Sequence, residues 1–208
     1  MAYTAGYAEE ETMRWVANSG CAPMYNNFHD WPSLTAINDK FNAIRASHGW
    51  HPVPPSCSGP IYVAETEAEA EYARRWYVDI IDSTIWHYGI FNQPSMRARV
   101  QGKTGAALQA AIDSIYADSM KTGVFGTPDQ VIAKLSEIQK MLGIGHLQGH
   151  FDFGRMPHDA AKKSMTLFAK EVMPALRELP EPEVRATPFA EVLADRAKMK
   201  SATPEKVG

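Results

Sequence analysis

Between Pro128 and Leu142 the apolar positions Val131, Leu135, Ile138 and Leu142 recur at spacings of three and four, so they share one face of a helix. Thr127 supplies a capping hydroxyl, Pro128 suits the first helical position, and Gln130 stands where a capping box requires it. Gly143 and Gly145 stop the helix. The run His146 to Gly154 alternates only in part and reads as a short buried strand. Pro157 then opens a second helix, with Ala161, Met165, Phe168 and Val172 as one apolar stripe. Helix, tight turn, strand, turn, helix is the grammar of a parallel α/β protein.

The same pattern precedes it. Ala2 to Gly6 reads as the end of a strand. Glu9 to Ser19 reads as a helix with Met13 and Val16 on one side and Gly20 as its stop. Cys21 to Asn26 is a strand candidate. After it, Ser33 caps a helix whose apolar face is Leu34, Ile37, Phe41 and Ile44. Pro52, Pro54 and Pro55 make His51 to Gly59 a loop, and Pro60 to Glu65 a strand. Thr66 and Glu69 form a capping box for a long helix through Tyr77, which Ser83 to Tyr88 extends. Phe91 to Pro94 is a break, and Thr104 to Lys121 is helical again. Residues 180–208 carry Pro180, Pro182, Pro188 and Pro204 among many charges and read as a surface tail.

Composition narrows the function classes. With 208 residues and a net charge of -3, the chain is long enough for one sizeable core and has no basic stripe that calls for nucleic acid. No apolar run approaches the roughly 20 residues that span a bilayer, and Met1-Ala2-Tyr3 does not begin a secretory signal. Cys21 and Cys57 have no metal or redox spacing and read as free thiols of a cytoplasmic protein. His146 and His150 share a strand face, but a metal needs a further ligand. Asp152-Phe153-Gly154 has no accompanying kinase motifs, so that triplet is chance.

Several motifs together resemble one family. They are Gly126-Thr127-Pro128, Phe151 to Gly154, Pro157-His158, Ser164-Met165-Thr166-Leu167-Phe168 and Val172-Met173-Pro174, with Tyr62 to Ala70 upstream. They are similar to the carboxy-terminal half of the bacterial luciferase-like, flavin-dependent monooxygenases. The resemblance implies a (β/α)8 TIM barrel in which His146 to Phe153 is the last strand. The units near Ala2, Cys21, Ile61 and His146 then correspond to the fifth to eighth, so that residues 1–179 form a partial barrel of roughly the last four βα units. No segment here looks like the first half. Such a half exposes parallel edge strands and needs a complementary half-barrel chain, self-association or a rearranged fold.

The resemblance also implies chemistry. Reduced FMN, supplied by a separate flavin reductase, and O2 together oxidise a small organic substrate; coenzyme F420 is the alternative cofactor, in a hydride-transfer branch. The flavin phosphate falls at a strand-to-helix turn, which here offers Gly6, Tyr7 and Thr12. This turn departs from the family, which usually has a Ser shortly after the Gly, and Glu9, Glu10 and Glu11 would repel a phosphate. Strand carboxy ends carry the site of a parallel barrel, which makes Tyr25, Asn27, His29 and His150 candidates for the substrate pocket. Trp86 and His87 lie where the family inserts a segment over the pocket. The family's catalytic His and Cys come from its first half, so no catalytic residue is assigned. A non-catalytic flavin-binding or interaction half-barrel, or a truncated product, is the rival reading.

Overall fold

A computed structural model of the chain describes residues 3–5, 10–26, 31–87, 89 and 94–181. The elements run β1 (Tyr3–Ala5), α1 (Glu10–Asn18), β2 (Ala22–Tyr25), α2 (Trp31–Ser47), β3 (Ser56–Val63), α3 (Glu67–His87), α4 (Pro94–Val100), α5 (Gly105–Met120), β4 (Val124–Gly126), α6 (Pro128–Leu142), β5 (His146–His150), α7 (His158–Leu167) and α8 (Met173–Arg177). A π-helical turn, Phe168–Val172, joins α7 to α8.

The five strands form one open sheet in which every pairing is parallel. β3 is its centre. Ser56 and Cys57 pair with β2, Ser56 to Pro60 pair with β5, and Ile61 to Val63 pair with β4. One residue past the end of β3 the amide of Ala64 donates to the carbonyl of Gly126, the last residue of β4, at 3.0 Å. The amide of Val63 points to the other edge. There it donates to the hydroxyl of Ser164 on α7 at 2.8 Å, so a side chain continues the ladder beyond β5.

The two faces of β3 pack differently. Ile61 and Val63 join Tyr25, Cys57, Trp31 and Leu34 with the α6 residues Val131, Leu135, Ile138 and Leu142. Tyr62 and Ala64 face a second cluster built from α3, Ile115 of α5, Phe153 and Ala161 of α7. Tyr77, Phe125 and Phe153 stack against one another there, with ring centroids 5.7 to 5.9 Å apart. Every residue of β3 is buried.

Local signals explain several boundaries. The capping box at Thr127 is formed, with the Thr127 amide donating to Gln130 Oε1 at 3.1 Å. α6 ends at Gly143, in the left-handed region at φ 64°. At the start of α3 the Glu69 amide donates to Thr66 Oγ1, while the Glu69 carboxylate accepts from the Glu65 amide. Pro174 has no amide hydrogen to offer. One residue before it, Met173 N–H reaches back five residues to the carbonyl of Phe168, which is the π turn.

Three expectations are corrected, and one strand was not anticipated. β3 begins at Ser56, so the stretch read as a loop supplies half the central strand; pairing with β5 throughout, and with β2 at Ser56 and Cys57, holds these small residues extended. β4 is a strand only because β3 offers it three residues of ladder. α2 starts at Trp31, ahead of the expected Ser33 cap. β5 is exposed along most of its length rather than buried, because among the described residues it pairs with β3 alone. The tail beyond Glu181 lies outside the described residues.

Candidate functional site

Of the expected site residues, Tyr25 ends β2, His150 ends β5 and Thr12 lies in α1. Gly6, Tyr7, Asn27 and His29 lie outside the described residues. Thr12, Tyr25 and His150 are described.

Thr12 sits in the first turn of α1, half-buried. The N–H groups of that turn lack helical partners, and the helix dipole makes the turn attractive to an anion. Glu10 shares the turn, but its charge is answered. Its carboxylate accepts from Arg14 at 2.5 Å and meets Lys40 at 3.1 Å, and these cations hold it below the usual carboxylate range. Glu11 remains exposed. A phosphate placed here would therefore meet Lys40 and Arg14 as well as acids, which removes much of the repulsion read from three consecutive glutamates.

Tyr25 ends β2 and is buried. Its register partner is Cys57, whose partner on the far side is Leu147. Burial pushes the Tyr25 hydroxyl far above the usual phenol range, with smaller contributions from Cys57 and Asp39. Burial likewise pushes the Cys57 thiol up to about 12, so it is inert as a nucleophile near neutrality. No hydrogen-bond partner for the Tyr25 hydroxyl or the Trp31 indole N–H is found among the described residues.

His150 ends β5, opposite Pro60, and is exposed. Positions 57 and 60 of β3 are three apart, so the strand pleat sets Tyr25 and His150 on opposite faces of the sheet. The structure thus aligns the two strand ends but does not converge these two side chains. No group of three metal-ligating side chains exists among the described residues. Trp86 is exposed on α3, where its indole donates to Asp82, which also accepts from Tyr116.

The sequence did not single out an open groove of about 550 Å³ where α3 and α7 begin. Tyr62, Glu69, Tyr72, Asp159, Ala160 and Lys163 line it. Lys163 spans it, 2.7 Å from Glu65 and 3.4 Å from Glu69. Only the spatial approach of α7, nearly a hundred residues later, gives those glutamates this cation.

No protein-family model and no curated protein sequence matches the chain. Solved structures do. A long-chain alkane monooxygenase matches over 95% of this chain and 46% of its own, at 16% identity and a TM-score of 0.59. The oxygenating constituent of 3,6-diketocamphane monooxygenase from Pseudomonas putida, solved in complex with FMN, matches over 86% of this chain and 48% of its own, at 19% identity and a TM-score of 0.55. The coenzyme F420-dependent tetrahydromethanopterin reductase of Methanopyrus kandleri matches over 83% and 50%, at 16% identity and a TM-score of 0.54.

These matches define a class by fold: an α/β chain with parallel strands in an open sheet, spanning about half the length of each structure it matches. Two of these structures are monooxygenases and the third is an F420-dependent reductase, and what the chain shares with them at this identity is the fold.

Proposed function

We propose that the chain is the carboxy-terminal half of a luciferase-like barrel and serves, once the barrel is closed, in the oxidation of a small organic molecule by O2 and reduced FMN. The observation that carries this is the order β1, β2, β3, β5 of parallel strands, with the Ser164 motif of α7 bonded to the end of β3. When bound, reduced FMN supplies the two electrons that let one oxygen atom enter the substrate while the other leaves as water.

This chain's residues bind and shape. Thr12 and the free amides of α1, with Gly6 and Tyr7, hold the flavin phosphate, and Lys40 and Arg14 balance the neighbouring acids. His150, with Asn27 and His29, lines the substrate pocket at the strand ends. Tyr25 supports that wall from the opposite face of the sheet, among core residues of α2 and α6. The catalytic groups come from the complementary half, which also excludes water from the pocket. A flavin reductase provides reduced FMN. The molecule acts in the cytoplasm; no helix of the described residues is long and apolar enough to cross a membrane.

The test is turnover. The chain, supplied with FMN, a flavin reductase and a panel of small aldehydes, ketones and alkanes, is expected to yield oxygenated product only when the barrel is completed. Consumption of O2 with no oxygenated product in any combination of halves contradicts it. F420 is the second reading, supported by the reductase among the matched structures. Binding of F420 in preference to FMN would select it.

A further inference from the structure

We infer that the groove between the starts of α3 and α7 is a binding site for a short aliphatic polyamine, a flexible chain carrying two ammonium groups. The site is built from β3, α3 and α7 alone, and it is independent of the half-barrel reading.

The floor of the groove is Tyr62 of β3, which is only 6% exposed and yet lines it. Buried hydroxyls are normally hydrogen-bonded. Among the described residues this one has no hydrogen-bond partner. Burial raises the Tyr62 phenol above its usual value, Glu69 adds to the rise and Lys163 opposes it, which sets the hydroxyl near both charges. The ring does not drift. Tyr62 and Tyr72 both stand edge-on to Trp76, with centroids 5.9 and 5.8 Å away, so one indole fixes two walls of the groove.

Charge selects the ligand. Two carboxylates line the groove, Glu69 of α3 and Asp159 of α7. Lys163 is balanced by Glu65, its closer contact at 2.7 Å, and reaches Glu69 only at 3.4 Å. Asp159 has no ion pair among the described residues. Arg75 lies over the Tyr72 ring, 3.4 Å from its centroid, and is not part of the lining. A ligand with two ammonium groups answers the two carboxylates, whereas an anion would be repelled by both. The volume of about 550 Å³ is that of a small-molecule site. Because the groove is open, it suits an extended chain laid along it. Methylenes then rest on Ala68, Ala160 and the exposed Tyr72 ring, and one ammonium donates to Glu69 and to the Tyr62 hydroxyl oxygen.

The experiment is isothermal titration calorimetry of the full chain with 1,4-diaminobutane at low ionic strength, where one saturable site is expected. Tyr62→Phe keeps the ring against Trp76 and removes only the hydroxyl, and is expected to weaken binding about fivefold. Glu69→Gln, which keeps an acceptor for the Glu65 amide, and Asp159→Asn are each expected to weaken it about tenfold. Lys163→Met removes the resident cation and is expected to tighten binding. Glu137→Gln, an equal loss of charge at an exposed position of α6, is expected to change nothing. Magnesium ion has the same charge without the chain and is expected not to displace the diamine at equal concentration. Circular dichroism checks that each variant is folded. No saturable binding, equal weakening by Glu137→Gln, displacement by equimolar magnesium, or undiminished binding in Tyr62→Phe overturns the inference.

Discussion

β3 and β5 lie side by side over five residues and have opposite surroundings. All eight residues of β3 are buried, with strands on both edges and helices on both faces. Four of the five residues of β5 are exposed. Strand chemistry does not explain this, since Ser56-Cys57-Ser58-Gly59 is no more apolar than His146-Leu147-Gln148-Gly149. Position in the sheet explains it. A strand is buried by its neighbours, and among the described residues β5 has one where β3 has three.

The strongest challenge to this contrast uses two glycines. Gly154 has φ 61°, and a Cβ there would stand 2.0 Å from the Trp76 carbonyl oxygen, which belongs to helical backbone and has little room to move. Gly154→Ala is expected to cost about 3 kcal/mol or more, combining strain and overlap. At Gly149, in β5, a Cβ meets only the Phe151 ring and the tip of Ile61, both able to shift. Gly149→Ala should cost about 1 kcal/mol. Urea unfolding of both variants checks the pair; equal losses would refute the idea that β5 is the yielding region.

Next come the apolar side chains. Ile61 is 1% exposed and Leu147 36%. Ile61→Ala is expected to cost about 2 to 5 kcal/mol, as core truncations do. Leu147→Ala should cost less than about 1 kcal/mol, since its side chain is already in part hydrated. Chemical denaturation read by tryptophan fluorescence measures both.

Ser164→Ala probes the join between centre and edge. It leaves the buried Val63 amide without its acceptor, for about 1 to 3 kcal/mol. Ser164→Thr, which keeps the hydroxyl, should restore part of that if the extra methyl is accommodated.

The smallest effect is electrostatic. The Arg155 guanidinium beside Asp79, 3.1 Å away, holds its carboxyl below the usual aspartate range, against a small opposing effect of burial. A carboxyl depressed on folding contributes stability that is complete above its ordinary value near 3.8 and is lost as pH falls through the lower folded value. Asp79→Asn should therefore lower stability slightly at neutrality, where the contribution is complete, match the parent at the lowest pH, and so flatten the acid limb between. The pair is exposed to water, so the difference is small.

The contrast also shows what the sequence made legible. The α6 cap at Thr127 and Gln130, the apolar stripe of α6 and the parallel order of units were all readable, because each rests on local spacing. The first half of β3 was not. Three prolines precede small residues there, and only pairing with β2 and β5 makes them a strand. β4 is too short to alternate. The exposure of β5 was illegible for the same reason in reverse, since its composition says nothing of a missing neighbour. At the candidate site, Thr12 was placed by its position at a helix start, whereas the pairing of Glu10 with Lys40 needed the approach of α2 to α1. The groove under Lys163 likewise depended on α7 meeting α3.

Equilibrium binding of FMN to the full chain, followed by quenching of flavin fluorescence, tests the central claim most directly. The account predicts saturable quenching with one site per closed barrel, weakened about tenfold or more by Thr12→Val through loss of one hydrogen bond to a charged group. No quenching by the chain at concentrations where its fold is intact, or binding that Thr12→Val leaves unchanged, would contradict it.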